Sequence, residues 1–322
     1  IHQFEKQEMV VICRPEDSRY WYDQLWKNTV DLFRSMDIPV RTLDETEFAA
    51  FKNNFVRPFR LDAEPLYRVE IVKTPARISL FVDFHHLIFD GASANLFLTN
   101  LKTLLTGGTL EREGATYFDF TREEEQHFDA NKKFFADLLK DFENASEIAS
   151  DVHGRIDGET QIFEQKFPSV ESFCHENGLT PAAVCFAALS YVVARYSASR
   201  KVFLTTISSG RGNVKFADTF GMFVNTLPLA AELEDISVGE FLRKTADTFA
   251  ATIEHENYPF AQIAADYSFA PKIMYEYQLG VVETHDIPKF TGVETFPHAA
   301  TKFKLTVRIV GDTSAPRLSI EY

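Results

Sequence analysis

Cysteine is scarce in this chain. Cys13, Cys174 and Cys185 are the only three in 322 residues, and their spacing pairs none of them. That excludes a disulfide framework and fits a reducing, cytoplasmic setting. Cys185 lies in an apolar helical run, where a buried free thiol is expected. Positive charge is short as well: 33 Lys and Arg stand against 47 Asp and Glu, a net of −14. Nucleic acid is therefore excluded as a partner, because phosphate binding needs clustered Lys and Arg. No apolar run reaches the length of a membrane span, so no membrane partner is expected. Ile1-His2-Gln3 supplies neither an initiator Met nor a signal peptide, and the chain reads as part of something longer. Internal repeats and low-complexity tracts are missing too.

What is abundant is phenylalanine. The 31 Phe, within a hydrophobic share of 45%, promise thick aromatic packing, and the length suits two lobes. Trp21, Trp26 and Phe33 have the spacing of a helix. Tyr67, Val69 and Ile71 alternate with Arg68 and Glu70; Ile78, Leu80, Val82 and Phe84 alternate with Ser79, Phe81 and Asp83. Two half-buried strands forming a hairpin are predicted. A helix follows with Leu96, Phe97, Leu101, Leu104 and Leu105 on one face, stopped by Gly107-Gly108. Residues 121–145 suit an amphipathic helix, and the run Glu123-Glu124-Glu125 suits a solvated face. The polar stretch Asp151 to Thr160 reads as a linker, which divides the chain into lobes at 1–155 and 156–322.

Beyond it, Phe163 to Phe167 reads as a strand. Thr180-Pro181 opens a long helix through Tyr196, with Thr180 as N-cap. Val202 to Ile207 reads as a strand, and Ser209-Gly210-Arg211-Gly212 as a loop. Ser237 and Glu240 have capping-box spacing at the start of a helix to Ile253. Ile273 to Leu279 alternates, as does Phe303 to Ile309, which pairs across a turn with Leu318 to Tyr322. Helices mixed with antiparallel hairpins make the fold class α+β.

Chemistry concentrates at His85-His86-Leu87-Ile88-Phe89-Asp90-Gly91, where a strand runs into a helix. Neighbouring strand residues face opposite ways, so one imidazole packs and the other faces a cavity. Gly91 is expected to let the backbone bend, and Asp90 to anchor the turn. Adjacent His are poor chelators and no other ligands stand at metal-binding spacing, so no metal is expected. No Gly-x-Ser-x-Gly elbow supports a Ser-His-Asp hydrolase. The local residues leave open whether either His does more than satisfy a strand end.

This segment resembles the HHxxxDG signature of the condensation domains of nonribosomal peptide synthetases, relatives of chloramphenicol acetyltransferase. Further likenesses follow in order. Phe59-Arg60-Leu61-Asp62 and Pro65-Leu66-Tyr67-Arg68 resemble the segment upstream of the histidines, and Tyr117-Phe118-Asp119-Phe120 resembles a Tyr-x-Asp-Phe element. Gly210-Arg211 followed by Gly221 to Leu229 is similar to the GxFVNTLPL stretch, and His255 to Phe260 is similar to HQDYPFE. Departures exist: the family's first two motifs are not found, Ala261 stands where Glu is common, and the Arg-rich motif expected near Tyr267 to Pro271 is largely missing. The N-terminal part is therefore expected to be incomplete.

The resemblance implies two chloramphenicol acetyltransferase-like lobes in a V around a tunnel, the first carrying HHxxxDG and the second the FVNTLPL and YPF elements. It implies an acyltransferase of secondary metabolism that joins a donor acyl or peptidyl thioester to an acceptor aminoacyl thioester. The expected partners are donor and acceptor peptidyl carrier proteins and an adenylation domain. No cofactor is bound by the domain itself; the substrates arrive on phosphopantetheine arms. By the same resemblance His86 is the catalytic residue. His85, Asp90, Gly91 and Arg211 are structural, with Arg211 as the partner of Asp90, and Asn225 and Ser93 bind substrate. Alternatives are an epimerization domain, a coenzyme A-dependent acyltransferase, and a non-catalytic recruitment domain. The pair Ser93-Ala94 and the run Val224 to Pro228 fit condensation better than epimerization.

Overall fold

The computed structural model describes residues 13–35, 39–149, 161–279, 292, 294, 302–312 and 315–322. The expected linker and the boundary at 155 lie outside the described residues. By backbone contacts the chain separates into Ile1–Ile88 and Phe89–Tyr322.

The first unit contains helix α1 (Ser18–Ser35), strand β1 (Val40–Thr42), helix α2 (Glu45–Phe55) and the hairpin of β2 (Tyr67–Lys73) and β3 (Ile78–Phe84). The sheet order is β1-β2-β3, with β1 parallel to β2 and β3 antiparallel to it. Asp44 and Glu47 close a capping box that starts α2. Phe48, Phe51 and Phe55 of α2 meet Phe81 of β3, with ring centroids 5.0–5.7 Å apart. The hairpin is where the sequence placed it, but its burial is inverted. The side bearing Arg68, Glu70, Val72 and Phe81 is the buried one, while Tyr67 and Ile78 are exposed. The charges tolerate burial because each has a partner. Arg68 pairs with Asp83 at 2.7 Å and Glu64 at 3.3 Å, and Glu70 pairs with Arg41.

The second unit is built on a six-stranded sheet. Its elements are α3 (Gly91–Leu105), α4 (Tyr117–Leu138), β4 (Ile162–Lys166), α5 (Glu171–Asn177), α6 (Pro181–Ser197), β5 (Lys201–Ser208), β6 (Asn225–Glu232), α7 (Val238–Glu254), α8 (Phe260–Tyr267), β7 (Ile273–Leu279), β8 (Leu305–Asp312) and β9 (Ala315–Glu321). The strand order is β4-β9-β8-β7-β5-β6. β5 and β7, and β7 and β8, run parallel; the other pairs are antiparallel. Val307 faces Ile320 and Ile309 faces Leu318, the pairing their alternation implied. Pro228 is tolerated in β6 because that strand lies at the sheet edge.

Alternation along β5 feeds two cores. Val202 and Leu204 join Phe186 and Val193 of α6, Tyr275 of β7 and Ile309 of β8. Phe203 joins Phe135 and Leu139 at the end of α4, Tyr258 and Ile263. Phe135 and Phe186 are wholly buried, and each such side chain contributes about 2 kcal/mol by transfer from water. Cys185 lies in the first core, where burial pushes its thiol up to about 11.

Thr180 caps α6 and Ser237 with Glu240 boxes α7, as their spacing implied. α4 starts four residues earlier than the predicted 121, because Thr116 and Asp119 form a capping box. Its acidic run is not a uniformly solvated face. Glu123 bonds Lys215 at 2.9 Å and Asn213 at 3.0 Å, and burial raises the carboxyl of Glu124. Among the described residues no single helix is long and apolar enough to cross a membrane.

Candidate active site

β3 ends at Phe84, so the two histidines are carried by a turn rather than by the strand. Ile88 N donates to His85 O at 3.1 Å and closes it. The strand-alternation argument for their opposite facing therefore does not apply; the turn itself separates them. His85 is half-buried and held at several points. Its N–H donates to Leu66 O at 2.9 Å, and its Nδ1 accepts from Leu87 N at 3.0 Å. An Nδ1 that accepts places the ring proton of the neutral form on Nε2. The ring meets Phe59 edge-on at 5.7 Å, and the Arg68 guanidinium lies 3.6 Å over that Phe. Phe59 and Arg68 thereby acquire a role, the support of His85. His86 is exposed.

In the second unit, Asp90 is the N-cap of α3 and only 2% exposed. Its Oδ1 accepts from Ser93 N at 2.7 Å and its Oδ2 from Phe223 N at 3.0 Å. Arg211 Nη2 lies 3.1 Å from Oδ1 and 3.3 Å from Oδ2. The expected partner is thus in contact, in an ion pair whose side chains are 7% and 0% exposed. Arg211 Nη1 donates to Phe216 O at 2.8 Å and Thr219 O at 2.6 Å, and the guanidinium stacks 4.0 Å over the Phe223 ring. A carboxylate taken this far out of water is stable because two backbone N–H groups and the Arg211 guanidinium donate to it.

Ser93 is wholly buried in the same centre. Its Oγ donates to Gly221 O at 2.9 Å and accepts from Gly221 N and Arg211 Nη2, both at 3.1 Å. Those bonds leave it turned toward the protein rather than toward a substrate. Asn225 is also engaged internally. Its Nδ2 donates to Glu256 O at 2.8 Å and Tyr258 O at 2.6 Å, and its Oδ1 accepts from Phe260 N at 3.2 Å. The amide of Asn225 therefore ties the 255–260 segment to the start of β6.

Gly91 differs from expectation. It begins α3 without a positive φ, and an added Cβ would meet nothing within 4 Å. The chain turns at Asp90, whose extended backbone (φ −115°, ψ −178°) is open to any residue. Glycine is demanded instead at Gly210, with φ +65° and Phe223 O only 2.1 Å from where a Cβ would sit. Tyr117, the first residue of α4, donates its hydroxyl to Met222 O at 2.9 Å. Burial and the carboxylates of Glu124 and Asp90 raise that phenol, which keeps it a donor. The Tyr-x-Asp-Phe element is thus a helix start: a ring against Phe223, a capping Asp119, and Phe120 in the core.

A family model described as Condensation domain matches residues 16–322, and the chain belongs to that family. Surfactin synthase subunit 2 of Bacillus subtilis (strain 168) is 26% identical over 310 residues, which cover 89% of this chain and 9% of that much longer protein. The condensation domain of the Monacolin K polyketide synthase MokA has the same fold, with a TM-score of 0.68 at 15% identity over 88% of this chain and 73% of its own. So does the epimerization domain from the third module of tyrocidine synthetase B, at 0.64 and 16%, over 88% of this chain and 74% of its own. The α+β architecture is therefore that of the chloramphenicol acetyltransferase-like condensation domains.

Proposed function

We propose that this chain forms an amide bond between a carrier-bound acyl or peptidyl thioester and the amine of a carrier-bound aminoacyl thioester. The observation that carries the reading is the exposed His86 imidazole on a turn whose other histidine is half-buried, bonded through Nδ1 and packed on Phe59. The neutral acceptor amine attacks the thioester carbonyl carbon and the C–N bond forms. His86 accepts a proton from the amine nitrogen as charge builds there. The tetrahedral intermediate then collapses, the C–S bond breaks, and the thiolate takes the proton as it leaves. An imidazole is suited to this transfer because its ordinary pKa lies near neutrality. Holding both tethered substrates contributes in addition, since effective concentration is a large term.

Donor and acceptor carrier proteins with phosphopantetheine arms, fed by an adenylation domain in a cytoplasmic synthetase, are the partners this reading requires. The exposed imidazole, rather than Ser93 or Asn225, is the group offered to substrate; those two act as supports. The test mixes the chain with two carrier proteins, one bearing an acyl-phosphopantetheine and the other each amino acid in turn. The expected result is transfer of the acyl mass to the acceptor carrier by intact-protein mass spectrometry. No transfer with any acceptor would overturn it.

Epimerization is the second reading, favoured by the likeness to the tyrocidine synthetase domain. A single aminoacyl carrier in deuterated water separates the two. Deuterium at the α-carbon marks epimerization, and its absence alongside amide formation marks condensation.

A further inference from the structure

Glu256 is a buried carboxylate that the proposed chemistry does not use. It is 7% exposed, and both of its oxygens are spent on one loop. Oε2 accepts from the hydroxyl of Ser208, the last residue of β5, and Oε1 accepts from Gly212 N at 2.8 Å. The two contacts grip the loop on either side of Arg211. Gly212 is needed for this, because Oε1 lies 2.7 Å from where its Cβ would sit. From the other side, Gly210 packs against the Phe223 carbonyl with φ +65°. The loop is closed between Glu256 and Phe223, and Arg211 projects from it onto Asp90 and Ser93.

The contacts continue around a circuit. Asp90 accepts from Phe223 N, and Ser93 accepts from Gly221 N. Two residues beyond Phe223, Asn225 donates to the backbone oxygen of Glu256. Each member of the circuit holds the next at hydrogen-bond distance, and all lie in the second unit. A carboxylate in this position is an acceptor only, so it orders donors on both flanks of the Arg211 loop at once.

We propose that Glu256 is a positioning residue: it sets the Arg211 loop and, through Arg211, the Asp90 cap from which α3 starts, four residues after His86 in the chain. Its effect on rate rests on the amide-forming reading; its effect on the loop does not. Glutamine, which stands at this place in the HQDYPFE element, is the conservative variant. Its carbonyl accepts from Gly212 N, and its amide donates to Ser208 Oγ.

The experiment compares the full chain with Glu256→Ala, Glu256→Gln and Ser208→Ala by amide hydrogen exchange and by the two-carrier assay. In Glu256→Ala, the amides of Gly212, Ser93 and Phe223 are expected to exchange at least about tenfold faster, while Leu204 and Tyr275 in the sheet are unchanged. Glu256→Gln restores all three to within about twofold. Ser208→Ala removes one of the two grips and gives a smaller increase at the same amides; it decides the question if Glu256→Ala does not fold. In the carrier assay, kcat falls about tenfold in Glu256→Ala with KM for the acceptor carrier unchanged, and recovers in Glu256→Gln. Exchange that is unchanged at those amides, or faster uniformly across the sheet, would overturn the proposal. A wild-type chain that forms no amide overturns the proposed function alone, and the exchange pattern still decides this one.

Discussion

The turn that carries His86 and the centre around Asp90 are four residues apart in sequence and are built on opposite terms. The turn is held through its neighbour: His85 is bonded by ring and backbone, while His86 is left exposed. The Asp90 centre is buried and turned inward. Its carboxylate, the Ser93 hydroxyl and Arg211 bond one another and the surrounding backbone. A short motif can thus combine a group available for chemistry with one whose whole capacity goes into structure. Residue type alone does not separate the two, since His, Asp and Ser all occur as catalytic groups. Burial and bonding do.

The largest expected effect falls on the first region. His86→Ala should lower the rate of amide formation roughly 10²–10⁴-fold, measured by single turnover with preloaded carriers. In the second region, Asp90→Asn or Arg211→Ala strands one partner of a buried pair. Each should cost about 3–5 kcal/mol in urea unfolding, and Asp90→Ala with Arg211→Ala should cost less than the sum of its singles. Asn225→Ala should cost about 1–3 kcal/mol by the same measurement, because bonded backbone groups lose their partners. If instead it weakens substrate use at unchanged stability, the comparison breaks at that residue.

The two glycines sharpen the contrast. Gly91→Ala should be neutral or stabilise by about 0.5 kcal/mol in thermal unfolding, since its backbone and surroundings accept a Cβ. Gly210→Ala should destabilise, by the strain of its φ and the collision with Phe223 O. The smallest effect concerns His255, whose Nδ1 lies 2.7 Å from Asn131 Oδ1 and whose ring stacks on Phe134. Burial lowers its pKa from the usual 6.5. The unfolded chain therefore binds the proton more readily, and stability falls as pH drops below about 6.5. Thermal unfolding between pH 7.5 and 5.5 should show a decline that is shallower in His255→Gln.

Much of the architecture was legible because it is written in local terms. Capping boxes at Ser237 and Glu240, the Thr180-Pro181 start, and alternation in β8 and β9 need only neighbours along the chain. The inverted hairpin was not legible. Arg68 and Glu70 read as solvated until Asp83 and Arg41, distant in sequence, are seen to neutralise them. The short β1 and the helix α2 carry too few periodic residues to stand out, although Asp44 and Glu47 mark the helix start. The Asp90–Arg211 pair spans 121 residues, and it was reached through family likeness. Ser93 and Asn225 were expected at substrate through the family likeness. Their observed partners are backbone groups and, for Ser93, also Arg211, which no sequence pattern displays.

The measurement that bears most directly on this division of labour takes rate and stability from the same protein. Single-turnover amide formation and urea unfolding would be recorded for wild type, His86→Ala and Asp90→Asn. His86→Ala is expected to lose most of its rate with an unchanged unfolding midpoint. Asp90→Asn is expected to lower the midpoint, and to lose rate only as far as the Arg211 centre is disturbed. A His86→Ala protein that keeps its rate, or whose midpoint falls as far as that of Asp90→Asn, would contradict the account.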